Sequence, residues 1–403
     1  MGADLKSEKH LPVLDGLRGL AVLIVVLYHT GGGAQSSNLG LRIYGTILKA
    51  GWSGVTLFFL LSGFLITGIL WDSKGTVNWW RNFYLRRVLR ISPLYYGSLL
   101  LVLAVAWLTH KGRPGFAGLW IFALYLQNLP WIADPGLNSR SLELGHFWSL
   151  AVEEQFYLVW PLLLTRLRTA AQVKVVCLGL FLLSTAFRYG VWAFSSKPWD
   201  YNRFILSRVG ELALGAFLAM CFRDDSWRRL ERAAPWITAA SLASLIALGA
   251  ANGTVEATKW YGSTTGLTLI TLFFAGFMVQ AIQGGWIHRA MKAAWLRWVG
   301  SISYGMYVFH ILFMPFYIWL GSHLAPHAGR VEGLALKDVI TWVLATPIAW
   351  ASFRYFESPI LGLRKYFQAT PQATDVKTRV ISGDPQQIAV GASLLQAEPL
   401  ALE

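Results

Sequence analysis

The chain has 403 residues, of which 55% are hydrophobic and only 14% are charged. Soluble domains carry about 25% charged residues, so this composition excludes an ordinary soluble fold and predicts a membrane protein. The net charge of +14 does not indicate a nucleic-acid partner, because the basic residues lie between apolar segments. The bias of positive charge toward the cytoplasmic side and the attraction of anionic headgroups explain it.

Apolar stretches recur along nearly the whole chain, and many reach the roughly 17–25 residues that a membrane-spanning helix needs. Hydrocarbon offers no water to the backbone polar groups, so these stretches must form helices. We therefore predict an all-α integral membrane protein with about ten transmembrane helices. Their expected positions are 11–30, 52–71, 93–110, 147–165, 174–193, 204–221, 235–251, 263–282, 300–321 and 337–356.

Lysine and arginine residues are concentrated in alternate connecting segments, such as 81–90, 166–174 and 223–232. Because positive charge marks the cytoplasmic side, both termini are expected in the cytoplasm. Residues 115–131 are apolar but short, and counting them as a span would move the 166–174 cluster to the outside. A re-entrant or interfacial segment is predicted there instead.

The remaining features argue for a single domain without covalent crosslinks. The two cysteines, Cys177 and Cys221, lie at or inside apolar stretches, so neither a disulfide framework nor a zinc site is expected. Residues 1–368 are predicted to form one transmembrane domain. Residues 369–403 lack periodicity and are expected to be a flexible cytoplasmic tail.

The first predicted span carries three ionisable residues, Asp15, Arg18 and His29. An ionisable group inside the membrane costs free energy and therefore indicates a functional site or a buried partner. Arg18 and His29 are eleven residues apart, nearly three helical turns, so they share a face and lie roughly 16 Å apart along the axis. The alternative is that Asp15 pairs with Arg18 to fix helix packing, while His29 makes a hydrogen bond near the interface.

The fourth predicted span carries a polar stripe. Spacings of three and four place His146, Ser149, Glu153 and Tyr157 on one face, with Glu154 beside it. A carboxylate near a histidine can hold its tautomer and raise its basicity, as general-base catalysis requires. The alternative is a packing role between helices.

The ninth predicted span places Ser303, Tyr307 and His310 on one face, with Tyr304 adjacent. A lone histidine in a membrane helix is more often a packing residue than a metal ligand. A metal site built from His29, His310 and Glu153 has no supporting spacing pattern, so no metal is expected.

A basic run, which includes Arg86, Arg87 and Arg90, precedes Pro93 at the cytoplasmic edge. On a helix these three guanidinium groups converge on one side, and guanidinium groups bind phosphate oxygens in bidentate geometry. The alternative is ordinary anchoring of a cytoplasmic loop by positive charge.

Taken in order, these motifs resemble the acyltransferase-3 family of bacterial membrane acyltransferases, which includes polysaccharide O-acetyltransferases and macrolide acyltransferases. The resemblance extends from about residue 11 to 360. The matching segments are Leu14-Asp15-Gly16-Leu17-Arg18-Gly19 with His29, residues 54–66, Arg86-Arg87-x-x-Arg90-x-x-Pro93, residues 147–157, and Ser303-Tyr304-Gly305-x-Tyr307-x-x-His310.

The resemblance implies a ten-helix protein of the bacterial cytoplasmic membrane, with acyl-coenzyme A as donor co-substrate and no permanently bound cofactor. It marks His29 as the catalytic base and places Glu153 in a functional motif. Arg18 and the run Arg86, Arg87 and Arg90 resemble residues that handle the donor. The substrate-site candidates are Asp15, His146, Ser149, Glu154, Tyr157, Ser303, Tyr304 and His310.

We therefore expect coenzyme A phosphates to bind the arginines while the pantetheine arm reaches toward His29 through one cavity. His29 then takes the acceptor hydroxyl proton, or carries the acyl group covalently. A glycan, glycolipid or macrolide acceptor, and an acetyl or longer acyl group, stay open. Some relatives carry a C-terminal periplasmic hydrolase-like domain, which is expected to be absent here. The alternative functions are a secondary transporter of a lipid-linked sugar or anion, and a scaffolding subunit.

Overall fold

The computed structural model describes residues 11–31, 48–108, 114–132, 144–326 and 330–367, and every regular element in these ranges is a helix. The α-helices in chain order are α1 Pro12–Gly31, α2 Gly54–Ser73, α3 Trp79–Leu108, α4 Pro114–Ala123, α5 Trp148–Arg166, α6 Ala170–Phe194, α7 Ile205–Phe222, α8 Ser226–Asn252, α9 Leu267–Gln283, α10 Gly285–Met291, α11 Ala294–Ser301, α12 Ser303–Leu312, α13 Met314–Leu324, α14 Arg330–Ala351 and α15 Ser358–Gly362. The expected tail, 369–403, lies outside the described residues.

Seven helical segments within the described residues are long and apolar enough to cross a membrane, and the α12–α13 pair, bent by 64°, makes an eighth if it is one span. The prediction of an all-α, multi-pass membrane protein is confirmed at this level. The expected count of ten also included α5 and α14, which fall outside these eight. In α5 the reason is the polar triplet Glu153-Glu154-Gln155, which lowers the mean hydropathy. Ten spans and cytoplasmic termini therefore stay predictions.

Two predicted spans differ in shape from the structure. The third helix begins at Trp79 rather than near residue 93 and continues through Pro93, so the basic run lies within a helix. The ninth span is not continuous, since the chain bends between Leu312 and Met314. Neither departure changes the apolar periodicity along the chain, which is why hydropathy alone did not reveal them.

The short apolar segment 115–131 forms the ten-residue helix α4 and then a turn in which Tyr125 has a φ of 54°. The segment is tied back onto its neighbours: Tyr95 Oη donates to the carbonyl of Phe122 over 2.7 Å, and Gln127 Nε2 donates to the carbonyl of Phe147 over 2.9 Å. Such bonds satisfy backbone groups outside a helix. That the segment is re-entrant or interfacial stays a prediction.

Glycines allow the central helices to approach closely. A Cβ atom on Gly63 of α2 would lie 1.9 Å from the carbonyl oxygen of Leu212 in α7, and one on Gly215 would lie 2.1 Å from that of Leu60. Helix pairs in membranes pack through such small residues because lipid provides no hydrophobic driving force for their association. The α2–α7 pair is therefore held at backbone contact.

Glycines of the Leu14–Gly19 motif have the same role in α1. A Cβ atom on Gly16 would lie 1.7 Å from the carbonyl oxygen of Met291, and one on Gly300 of α11 would lie 1.9 Å from that of Asp15. These contacts fix α1 against α10 and α11 and so set the direction of its polar side chains.

Candidate active site

A cavity with about 840 Å³ of empty space, including the part that opens to solvent, lies between α1, α2, α3, α5 and α12. Its wall is apolar along α2, at residues such as Phe58, Leu65 and Ile66. The polar lining side chains come from all five helices and are Arg18, Ser62, Arg87, Arg90, Ser149, Glu153, Tyr157, Ser303, Tyr304 and Tyr307. Apolar walls with a few convergent polar groups are typical of a small-molecule site.

Three of the four residues predicted to form a polar stripe on the fourth span face this cavity, and the fourth, His146, lies in the preceding 3₁₀ helix Gly145–Phe147 and does not line it. Ser149, Glu153 and Tyr157 follow one another at intervals of four and all line it, as their shared helical face requires. The opposite face of α5 is exposed at Leu158 and Leu162, which suits contact with lipid. Glu154 does not line the cavity, and its Oε1 is buried without a hydrogen-bond partner.

Guanidinium groups occupy one end of the cavity, which we call the arginine end. Arg18 is 33% exposed and lies 3.5 Å from Asp15, so the predicted pair forms while Arg18 still lines the cavity. The Arg87 guanidinium lies 5.7 Å from the ring centres of both Phe83 and Tyr157, which fits cation–π contact. Its Nε is buried without an acceptor.

The first of the three arginines in the basic run, Arg86, behaves differently from the other two. Arg87 and Arg90 line the cavity, whereas Arg86 does not, and its Nε donates to the carbonyl of Asn82 over 3.3 Å. Two of the three predicted donor-handling arginines of this run therefore reach the cavity.

Arg364 joins the arginine end, although the sequence indicated only a positive charge on the cytoplasmic side. It lies in the short 3₁₀ helix Leu363–Phe367, which packs against α3. Burial, together with the nearby charges of Arg90, Arg87, Arg86 and Arg18, lowers the pKa of Arg364 to about 10. It therefore stays charged at neutral pH, and its Nε is buried without an acceptor.

A hydrogen-bonded group lies midway along the cavity. The Ser62 and Tyr157 hydroxyls are hydrogen-bonded to each other, and Glu153 lies beside both, within reach of the Arg87 charge. Opposite, Tyr304 Oη donates to the carbonyl of Ile91 over 2.8 Å. Glu153 is thus positioned by hydroxyls on one side and by a guanidinium on the other.

Tyr307 closes the far end. Its hydroxyl donates to the carbonyl of His146 over 2.6 Å and lies 2.5 Å from Ser149 Oγ, which therefore donates to it. The Tyr307 ring contacts Phe58, with ring centres 6.3 Å apart, and His310, with ring centres 5.8 Å apart. His146 also contacts His310, with ring centres 5.5 Å apart. We call this end, with His29, the imidazole end.

His29 lies beyond Tyr307. Its Nδ1 is 2.9 Å from the carbonyl oxygen of Val25 and 3.3 Å from Nε2 of His310. His29 does not line the cavity that Arg18 lines; contacts through Tyr307 and His310 connect the two. Of the fourteen predicted site residues, twelve lie at the cavity or at the imidazole end, with Asp15 counted through its pairing with Arg18. The other two, Arg86 and Glu154, reach neither place.

The three clustered histidines do not form a metal centre. Within the described ranges, no three His, Cys, Asp or Glu side chains are placed so that they could hold one metal ion. The cluster is joined instead by ring contacts and hydrogen bonds. What it can do chemically is accept and hold a proton.

The chain is similar to known proteins along most of its length. The family model described as an acyltransferase domain matches residues 11–354. Peptidoglycan O-acetyltransferase OatA of Listeria monocytogenes is 27% identical over 90% of this chain and 58% of its own length. The putative peptidoglycan O-acetyltransferase YrhL of Bacillus subtilis is 27% identical over 88% of this chain and 55% of its own length.

A putative O-acetyltransferase of Staphylococcus aureus is 26% identical over 88% of this chain and 58% of its own length. The chain therefore spans a little more than half the length of these curated relatives. No solved structure matches. The family resemblance drawn from the motifs, and with it the expectation of an enzyme, is confirmed.

Proposed function

Because the chain belongs to the acyltransferase-3 family, whose domain model covers residues 11–354, we propose that it transfers an acetyl group from acetyl-coenzyme A to a hydroxyl of a cell-envelope glycan. The observation that carries this proposal is the arginine end, where the guanidinium groups of Arg18, Arg87, Arg90 and Arg364 are gathered and two buried Nε–H groups have no acceptor. Buried donors without a partner are costly, and a polyphosphate ligand would satisfy them.

Donor binding follows from the chemistry of the arginine end. Guanidinium groups bind phosphate oxygens in bidentate geometry, and like charges held close together favour an anion between them. In the proposal Arg87, Arg90 and Arg364 hold the phosphates of coenzyme A, with Arg18 at the open side. The acyl-pantetheine arm then extends along the apolar wall of α2.

His29 acts as the base. The acceptor hydroxyl gives its proton to Nε2 of His29 as its oxygen attacks the thioester carbonyl. The new C–O bond forms, the C–S bond breaks, and the coenzyme A thiolate takes up the proton from His29. Alignment of hydroxyl, base and thioester supplies much of the rate acceleration. An acyl-His29 intermediate would use the same geometry in two steps.

The proposal requires the Tyr307 ring to move. This ring lines the cavity, packs against Phe58 and contacts His310, which in turn contacts His29, so the thioester reaches His29 when the two aromatic rings turn aside. Glu153, held beside Tyr157 and Ser62, orients the arm below them through hydrogen bonds. In this motion Tyr307 gives up its hydrogen bonds to the His146 carbonyl and to Ser149, so it is slower than the rotation of an exposed side chain.

The acceptor class is inferred from the relatives. One relative is named a peptidoglycan O-acetyltransferase and another a putative peptidoglycan O-acetyltransferase, and a polymeric glycan outside the cytoplasmic membrane suits a base at the end of α1 opposite to Arg18. We therefore propose peptidoglycan as the first acceptor to test and the bacterial cytoplasmic membrane as the location. A glycolipid or a macrolide is a different outcome of the same test.

The experiment uses the full chain in lipid nanodiscs with acetyl-coenzyme A and purified glycan strands. Release of free thiol should depend on the acceptor, and mass spectrometry should find the acetylated glycan. His29→Ala should abolish both signals. Tyr317→Phe is the control, because it removes one hydroxyl from a fully buried side chain on α13 that does not line the cavity and whose only hydrogen bond given by the structure is 3.5 Å long.

Two outcomes would contradict the proposal. One is a folded His29→Ala variant that still transfers the acetyl group. The other is acceptor uptake across the membrane without any thiol release, which would indicate a transporter.

A further inference from the structure

Two histidines on different helices are hydrogen-bonded in the same way to their own helix. His29 Nδ1 lies 2.9 Å from the carbonyl oxygen of Val25, and His310 Nδ1 lies 3.0 Å from the carbonyl oxygen of Met306. A carbonyl oxygen only accepts, so Nδ1 carries the proton in both neutral rings. Nε2 of each ring is then a bare lone pair.

The lone pair of one ring faces the N–H of the other. His310 Nε2 lies 3.3 Å from His29 Nδ1, so the His29 Nδ1–H is shared between the Val25 carbonyl and His310. Such three-centre hydrogen bonds are common in proteins. Reversing the tautomer of His29 would turn a lone pair toward two acceptors and lose both contacts.

The surroundings of His310 hold its ring in this orientation. His310 is fully buried, and its ring packs against those of His146 and Tyr307. Tyr307 is in turn fixed by its hydrogen bonds to the His146 carbonyl and to Ser149. A base whose orienting partner is itself held in place is the arrangement that general-base catalysis requires.

We propose that His310 is the positioning residue for His29: its Nε2 accepts the His29 Nδ1–H and so keeps the proton off His29 Nε2, the atom that faces the reaction. This inference rests on the proposed function. In the transfer step the acceptor proton moves to His29 Nε2, and His310 accepts a hydrogen bond from the imidazolium that results. The proton then passes to the thiolate, and the pair returns to its starting state.

A packing role for His310 makes a different prediction from a positioning role. If only volume mattered, a leucine at this position would serve as well as a glutamine. If the acceptor matters, His310→Gln keeps a carbonyl oxygen near the place of Nε2, whereas His310→Leu removes it. The two variants therefore separate the roles.

The first test compares these variants in acetyl transfer. We expect His310→Leu to lower kcat about 100-fold with KM for acetyl-coenzyme A changed by less than about threefold, and His310→Gln to recover most of the loss. Tyr317→Phe is the control for a change in the same bent helix pair. Equal kcat values for the Leu and Gln variants, with equal thermal stability, would overturn the proposal.

The second test needs no activity and checks the tautomer on which the proposal depends, even if His310→Leu fails to fold. Nitrogen-15 NMR of histidine-labelled wild-type protein in nanodiscs reports which ring nitrogen is protonated, and His29 is assigned by its loss in His29→Ala. We expect protonated Nδ1 and bare Nε2. A proton on Nε2 of His29 would overturn the proposal, whereas acetyl transfer by His29→Ala would instead refute the proposed function.

Discussion

The arginine end and the imidazole end of the cavity differ in whether their buried polar groups have hydrogen-bond partners within the protein. At the arginine end, guanidinium groups of like charge are gathered, and Nε of both Arg87 and Arg364 is buried without an acceptor. At the imidazole end, Tyr307, Ser149, His310 and His29 all have hydrogen-bond partners. Buried donors at one end have no acceptor, whereas these four side chains at the other end are bonded to protein groups.

This difference separates the residues expected to bind the donor from those expected to keep the site in its folded geometry. An incomplete polar site is destabilising until its ligand arrives, so substitutions there should change affinity more than folding. At the imidazole end, where these side chains are already bonded to protein groups, substitutions should change folding stability more than affinity, since removal of one member leaves a buried group unpaired. The predictions below test that division, beginning with the largest expected effect.

Arg87→Leu should raise KM for acetyl-coenzyme A about 100-fold, because the proposed bidentate contact with a coenzyme A phosphate would be lost. The matched control is Arg86→Leu, which removes the same charge from a neighbouring side chain that does not line the cavity. Initial rates in nanodiscs measure both. Equal effects of the two substitutions would show that general positive charge, and not the site, binds the donor.

Gly63→Ala should destabilise the protein by about 1–3 kcal/mol, because its Cβ would lie 1.9 Å from the Leu212 carbonyl oxygen. Since α2 lines the cavity from Phe58 to Ile66, the affinity for coenzyme A and kcat should both fall. Thermal unfolding in detergent measures the change. Gly179→Ala, where a Cβ would meet nothing within 4 Å, is the control and should not be destabilising.

Arg364→Leu should weaken coenzyme A binding about tenfold and yet stabilise the ligand-free protein by about 1 kcal/mol. The stabilisation is expected because the substitution removes a charge from a cluster of like charges, together with a buried Nε–H that has no acceptor. Thermal unfolding with and without coenzyme A measures both effects. A less stable ligand-free variant would show that Arg364 has a structural partner.

Tyr307→Phe should destabilise the protein by about 1–2 kcal/mol and leave coenzyme A affinity unchanged. The substitution removes the hydroxyl that donates to the buried His146 carbonyl and accepts a hydrogen bond from Ser149. Thermal unfolding and equilibrium binding measure the two quantities. A large loss of affinity with normal stability would place Tyr307 in the donor site rather than in the network of the imidazole end.

The smallest effect concerns a pair outside both ends. A hydrogen bond from Lys49 over 3.0 Å lowers the pKa of Glu256 below 4.5. Because the pKa is depressed in the folded protein, the stabilisation is present above pH 4.5 and is lost as the pH falls through the folded-state pKa. Both groups are partly exposed, so it amounts to less than about 1 kcal/mol. The unfolding temperatures of wild type and Lys49→Gln should converge in acid, and an acid-independent difference would contradict this.

Sequence reasoning predicted those features that depend on one helix. The stripe of Ser149, Glu153 and Tyr157 lines the cavity because helical periodicity alone fixes a shared face. The same reasoning placed Arg18 and His29 on one face, and it could not show that Tyr307 from another helix would lie between them. Which residues share a helical face depends on one helix alone, whereas a cavity is bounded by several helices.

Features that join distant segments were not predictable from spacing. His29 and His310 are 281 residues apart, and nothing in either motif indicates that one ring faces the other. Arg364 resembled an ordinary cytoplasmic charge because only the packing of the 3₁₀ helix Leu363–Phe367 against α3 brings it to the arginine end. The bend between α12 and α13 interrupts an apolar run without changing its hydropathy.

The division between the two ends is tested most directly by calorimetric titration of coenzyme A, without an acyl group, into wild type, Arg87→Leu and His29→Ala in nanodiscs. Coenzyme A cannot react, so affinity alone is measured. The dissociation constant should rise about 100-fold in Arg87→Leu and stay within about twofold of wild type in His29→Ala. Equal weakening in both variants, or none in Arg87→Leu, would contradict the account.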